Sequence, residues 1–113
     1  MHRGEVWRIN LDPTMGAEIK KTRPAVIVND DAVGILPLRV IVPIPEWKDR
    51  YAVAPWMVRL DPDVENGLDK PSAADAFQVR SLLQTRFVQR TGKLSEAALQ
   101  EITKALVVVL AIE

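Results

Sequence analysis

The chain has 113 residues, a length that fits one domain spanning 1–113. It has no cysteine and one histidine, which excludes a disulfide scaffold, a thiolate metal site, a cysteine nucleophile and a multi-histidine metal centre. Lysine plus arginine and aspartate plus glutamate balance at 15 each, so net charge makes no case for a polyanion partner. The charge is nonetheless polarised, with residues 18–23 basic and residues 61–75 acidic.

In chain order, Glu5 to Leu11 alternates with period 2 and predicts a strand with one apolar face. The opening "MHRGEVWRIN" lacks the apolar core of a signal peptide. No run approaches the ~18 apolar residues of a membrane span. The expectation is a soluble, cytoplasmic protein with no membrane partner. "DPT" and Gly16 mark a turn or loop. "PAVIVN" is continuous and β-branched, as in a strand covered on both sides. Leu38 to Ile44 is a further strand, ended by Pro43 and Pro45. Trp56 to Leu60 is a short strand, and "DPDVENGLDKPS" is loop by composition. "ADAFQVRSL" reads as a weak strand through Phe77 and Val79, "LQTRF" as a single helical turn, and "VQRTGKL" as a last short strand. Ser95 is a good N-cap before an amphipathic helix with Leu99, Ile102, Leu106 and Val109 on one face. The last turns of that helix are apolar nearly all round, which predicts a buried end, against a second subunit. Strands followed by one helix give an α+β, mainly β class: a small β-barrel or curled sheet plugged by a helix.

No phosphate-binding loop, dinucleotide fingerprint or metal motif is present, so no cofactor and no metal are expected. Ser72, Ser81 and Ser95 have no histidine at a suggestive position, which argues against a nucleophilic triad. The segment "GAEIKKTRP" remains. Arg23 is permanently charged and presents a planar fork that matches phosphate oxygens. Lys20 and Lys21 add point charge, and Glu18 is a possible proton acceptor. Pro24 holds Arg23 extended at the strand entrance. The segment also reads as a charged loop capping a strand, since charge clusters are commonly only solvated.

"RGEVWRINLDPTMGAEIKKTRPAVIVND" resembles the N-terminal motif of the MazF/PemK family of toxin ribonucleases. The matching residues are Arg3, Gly4, Glu5, Asp12, Pro13, Gly16, Ala17, Glu18, Arg23 and Pro24. The similarity continues in "RVIVPI", "ADAFQVRSL" and the C-terminal helix. The resemblance implies a small SH3-like β-barrel of the CcdB/MazF type with a C-terminal helix, acting as a homodimer. It implies a bacterial toxin that cuts single-stranded RNA, including mRNA, without metal, leaving a 2′,3′-cyclic phosphate and a 5′-hydroxyl. It also implies a cognate MazE-like antitoxin laid across the RNA site. On the same resemblance, Arg23 is the catalytic arginine, suited to stabilising phosphoryl charge, and Glu18 is a candidate base.

The chain departs from that pattern in "PIPE", residues 43–46. Pro45 stands where the family usually has its catalytic threonine. Two readings follow. Either Glu46, with Lys48 nearby, supplies the acid–base function, or the protein is a non-cleaving relative that binds protein, as a gyrase inhibitor or an antitoxin-sequestering module. Gln78, Arg80 and Ser81 match a family strand near the substrate groove, where Gln can read a base edge and Arg a phosphate. "FQVR" equally reads as strand alternation with a solvated face. Trp47, with Tyr51 behind it, is the base-stacking candidate, and Lys48 and Arg50 are candidate phosphate contacts. Trp7 is expected in the core, and His2 in a loosely held terminus.

Overall fold

In a computed structural model that describes residues 1–11 and 22–112, the fold is built on an antiparallel sheet. Its five strands are β1 (Glu5–Ile9), β2 (Arg23–Ile27), β3 (Leu38–Pro43), β6 (Arg80–Leu83) and β7 (Phe87–Lys93), in the order β6-β3-β2-β1-β7. β4 (Met57–Leu60) and β5 (Ser72–Asp75) form a separate two-stranded ribbon. Helix α1 (Glu96–Leu110) packs against β4 and against a 3-10 turn over Ala76–Gln78.

The continuous apolar run in β2 has the expected cause. Its side chains enter two clusters on opposite faces of the sheet. Val26 joins Val6, Val42, Ile44, Leu60, Ala74, Leu99 and Ile102 under the helix. Ala25 and Ile27 join Ile9, Ile41 and Leu82, with Trp7 and Phe87 packed beside them. Each fully buried Val or Ile stabilises the fold by about 1.5–3 kcal/mol, so both faces hold the sheet. β1 meets β7 with register shifts at Val6/Trp7 and Arg8/Ile9, and its alternation sends Val6 to one cluster and Trp7 and Ile9 to the other. Trp7 meets Phe87 edge-on at 5.8 Å and is half-buried, in line with its expected core role.

Two departures from the sequence reading have physical reasons. First, the barrel is not closed by hydrogen bonds: β6 and β7 are the two sheet edges, and the ribbon and helix cover one face instead. Second, the strand expected through Phe77 and Val79 is broken. The Asp75 carboxylate accepts from Phe77 N (3.1 Å) and caps the 3-10 turn, so the chain leaves β5 and re-forms as β6 at Arg80. The apolar end of α1, expected against a second subunit, is open within one chain. Val107, Val108, Leu110 and Ile112 are exposed, while Leu99, Ile102 and Ala105 face the core. Two local expectations hold, while the turn expected at "DPT" and Gly16 lies outside the described residues. Ser95 Oγ accepts from Ala98 N (3.1 Å) and starts the helix, and Gln84–Arg86 form a single 3-10 turn.

Candidate active site

A cavity of about 420 Å³ opens where the adjoining ends of β2 and β3 meet the long connection from β4 to β5. Arg8, Thr22, Arg23, Pro45, Glu46, Asp69, Lys70 and Ser72 contribute to its lining. Arg23 is the exposed first residue of β2, paired with Ile9 of β1. The backbone brings Pro45 beside it, because Ile44 N donates to the carbonyl of Pro24 (2.9 Å).

From Pro45 onward, β3 gives way to contacts with the start of β5. Ala73 N donates to Pro45 O (2.9 Å), Trp47 N donates to Pro71 O (3.0 Å), and Glu46 forms a bridge with Ser72. This places the Lys70 ammonium 3.1 Å from Glu46 Oε1. The Lys70 hydrogen bond and charge hold the Glu46 carboxyl below its ordinary range, with Lys48 adding a further cationic influence. On the same cavity, Arg8 donates to Thr22 Oγ1 (3.3 Å) and lies 3.9 Å from Asp69.

The acidic connection is built as a rigid wall. Asn66 is buried; its side-chain oxygen accepts from Asp63 N (3.2 Å) and Leu68 N (3.0 Å), and its amide donates to Asp61 O (2.9 Å). Gly67 has a left-handed φ of 68°, and a Cβ there would lie 2.0 Å from Thr91 O. A Cβ at Gly92 would lie 2.4 Å from Glu65 O. Only glycine at both positions lets the connection lie against β7.

The sequence-derived candidates divide. Arg23 and Glu46 are brought together on one cavity. Glu18, Lys20 and Lys21 lie outside the described residues. Trp47, Lys48 and Arg50 follow Glu46 in sequence but do not line the cavity. Trp47 meets Tyr51 edge-on at 5.9 Å and carries the Arg59 guanidinium over its ring at 4.9 Å, while Arg50 stands 5.3 Å from the Tyr51 ring. Gln78, Arg80 and Ser81 are exposed but do not line the cavity. Gln78 ends a 3-10 turn, and Arg80 and Ser81 pair with Ile41 and Val40 on the far side of β3 from β2. Sequence reasoning missed Arg8, Asp69 and Lys70. In sequence Arg8 shows only strand alternation, and the other two sit in a stretch legible only as loop. His2, expected in a loose terminus, lies 3.5 Å from Asp31. Among the described residues, no three of His, Cys, Asp and Glu gather at a spacing that could hold a metal.

A model of the PemK-like, MazF-like toxin family of type II toxin–antitoxin systems matches residues 2–110. The chain belongs to the PemK/MazF toxin family. It is 34% identical over 110 residues to endoribonuclease MazF9 of Mycobacterium tuberculosis, covering 94% of this chain and 92% of that relative. It is 30% identical over 112 residues to endoribonuclease PemK of Escherichia coli, covering 97% and 82% respectively. The fold is shared with a mycobacterial endoribonuclease solved in complex with its cognate antitoxin, at a TM-score of 0.80, 20% identity and coverage of 100% of this chain and 97% of that one. It is shared equally with MazF in a MazE–MazF structure from Deinococcus radiodurans, at 0.79, 22% identity, and 100% and 97% coverage.

The PemK/MazF motif residues near the N-terminus of this chain do structural work. The Arg3 guanidinium donates to Val28 O and to Thr103 Oγ1 (2.9 Å), tying the terminus to the sheet and helix. Gly4 has φ 93°, and a Cβ there would meet Leu99 Cδ1 at 2.9 Å. Burial would raise the Glu5 carboxyl, but the hydrogen bond from Trp7 Nε1 (2.8 Å), a hydrogen bond from the His2 backbone and the nearby Arg90 charge hold it lowered. Among the described motif residues, Arg23 and Pro24 line the cavity.

Proposed function

We propose that this chain is a bacterial, cytoplasmic endoribonuclease toxin. It cuts single-stranded RNA, mRNA included, at particular sequences, acts without metal, and is neutralised by a cognate MazE-like antitoxin. The observation that carries the reading is the convergence of Arg23, Lys70 and Glu46 on one open cavity, in a chain of the PemK/MazF toxin family whose relatives named above are endoribonucleases.

The chemistry is transesterification. A 2′-hydroxyl loses its proton, its oxygen attacks phosphorus in line, and the 5′-oxygen leaves, giving 2′,3′-cyclic phosphate and 5′-hydroxyl ends. Arg23 stabilises the charge gathering on the phosphoryl oxygens. Glu18 is the candidate base on the attacking side. The Glu46–Lys70 pair acts where the family hydroxyl is replaced by Pro45. Lys20 and Lys21 steer the polyanion toward the cavity. Trp47, Lys48 and Arg50 form a rim for flanking nucleotides, with Gln78, Arg80 and Ser81 as a more distant surface for the same strand. The exposed apolar end of α1 supports a homodimer, since Val107, Val108, Leu110 and Ile112 cluster there. No helix among the described residues is long and apolar enough to cross a membrane.

The competing reading is a non-cleaving relative that binds gyrase or sequesters an antitoxin, and Pro45 is the specific feature that favours it. Induced expression in a bacterial host separates the two. The ribonuclease reading expects amino-acid incorporation to fall before thymidine incorporation, with new 5′-hydroxyl ends in mRNA. Early loss of thymidine incorporation with intact mRNA supports gyrase inhibition. Normal growth with saturable antitoxin binding supports sequestration.

A further inference from the structure

We infer that Lys70 donates the proton to the departing 5′-oxygen, and that Glu46 is the residue that positions it. This rests on the ribonuclease reading above and assigns the role left empty at Pro45.

The backbone of Lys70 is held by its neighbours, while its side chain is 61% exposed. Pro71 restricts the Lys70 backbone to extended conformations. The buried Ser72 hydroxyl donates to the Lys70 carbonyl (2.8 Å). Glu46 holds the ammonium at 3.1 Å, on the segment directly after Pro45. Behind Lys70, the Asn66 and Gly67 contacts fix the connection against β7.

Two of the three hydroxyls on the described lining are already engaged as donors: Ser72 and Thr91 donate to backbone carbonyls. Thr22 accepts from Arg8 and keeps its own hydrogen, but an aliphatic hydroxyl is a far weaker acid than an ammonium. Arg23 cannot serve as the acid, because a guanidinium does not give up a proton in this range. An ammonium has three N–H donors, so Lys70 can keep Glu46 and still reach a substrate oxygen.

Glu46 and Lys70 cannot divide the two proton transfers between them. In-line displacement puts the entering and leaving oxygens on opposite sides of phosphorus. Two groups 3.1 Å apart serve one side only. Glu46 is moreover a weakened proton acceptor, because Lys70 holds its carboxyl low.

The step balances as follows. The 2′-oxygen–phosphorus bond forms and the phosphorus–5′-oxygen bond breaks. The 2′-hydroxyl proton goes to the base on the attacking side. The Lys70 ammonium gives its proton to the 5′-oxygen, and the resulting amine regains one from water. No oxidant, reductant or cofactor enters.

The experiment first maps a cleavage site by end analysis of a long single-stranded transcript. A short RNA of that sequence is then made with oxygen or with sulfur at the bridging 5′ position, since a thiolate leaves without protonation. Single-turnover rates are measured for the wild type, Lys70→Ala, Lys70→Arg, Glu46→Gln and the Lys70→Ala/Glu46→Gln double variant. On the oxygen substrate, Lys70→Ala is expected to fall about 100-fold or more, the scale of a general acid. Lys70→Arg should fall similarly, Glu46→Gln less, and the double variant no further than Lys70→Ala. On the sulfur substrate, all should approach the wild-type rate. Equal defects on both substrates, or full activity of Lys70→Arg on the oxygen substrate, overturn the assignment and leave the ribonuclease reading intact. If the wild type leaves the transcript intact, no site is mapped and both fall together.

Discussion

Arg23 stands exposed at the start of β2, so its loss should cost activity and not fold. Arg23→Ala is expected to lower single-turnover RNA cleavage by about 10²–10³, the scale of removing one donor to developing charge. Its unfolding free energy from urea titration should stay within about 0.5 kcal/mol of wild type, as for surface changes generally. Asp75 makes the opposite case. Burial raises its carboxyl, against the hydrogen bonds from the Phe77 and Gln78 backbones. The folded protein therefore binds this proton more tightly than the unfolded chain. Its contribution is full below the unfolded value of 3.8 and is lost as pH rises through the raised folded value. Asp75→Asn keeps a side-chain oxygen for the Phe77 cap and removes the buried charge. Urea unfolding as a function of pH should show a smaller fall in stability above pH 3.8 in the variant. An unchanged slope would assign that pH dependence to other carboxylates.

Among elements, the connection from β4 to β5 carries the most consequence for its composition. It has no regular structure, yet it delivers Asp69 and Lys70 to the cavity. Gly67→Ala combines a left-handed backbone with a Cβ 2.0 Å from Thr91 O, and strain and overpacking of this kind cost roughly 1–3 kcal/mol each. Asn66→Ala strands two backbone N–H groups and a carbonyl, costing about 1–3 kcal/mol per group left without a partner. Both variants should unfold at lower urea, and their residual folded protein should cleave more slowly as Lys70 loses its seat. Slower cleavage without destabilisation would mean the connection touches substrate instead of holding the wall. The strands themselves were legible in sequence, because β-branched runs such as Val26–Ile27 and Ile41–Val42 have no comparable alternative. The break after β5 was not, because alternation continues through Phe77 and only the Asp75 cap interrupts it. Arg8, Asp69 and Lys70 were illegible for a different reason. Arg8 lies far from Asp69 and Lys70 along the chain, and only the pairing of β1 with β2 and the Glu46–Ser72 bridge gathers them. Arg23 was legible because its signal is local: spacing, a following proline and a strand.

At the scale of the whole molecule, the exposed apolar end of α1 and the charged cavity make separate claims. Val108 and Leu110 are each more than half exposed. Val108→Lys with Leu110→Lys should shift a sedimenting dimer toward monomer at micromolar concentration; an unchanged sedimentation coefficient would remove α1 from the interface. Binding to RNA should weaken as salt rises, with a slope near −0.7 per phosphate neutralised on a single strand. The decisive measurement joins the cavity to the chemistry. Wild type and Arg23→Ala, matched by circular dichroism, are incubated with a long single-stranded RNA in EDTA, and the fragment ends are analysed. The expected result is discrete cleavage by the wild type, with 2′,3′-cyclic phosphate and 5′-hydroxyl ends, lost in Arg23→Ala. Intact RNA with the wild type, or equal cleavage by both proteins, would contradict the assignment of this cavity as a ribonuclease centre.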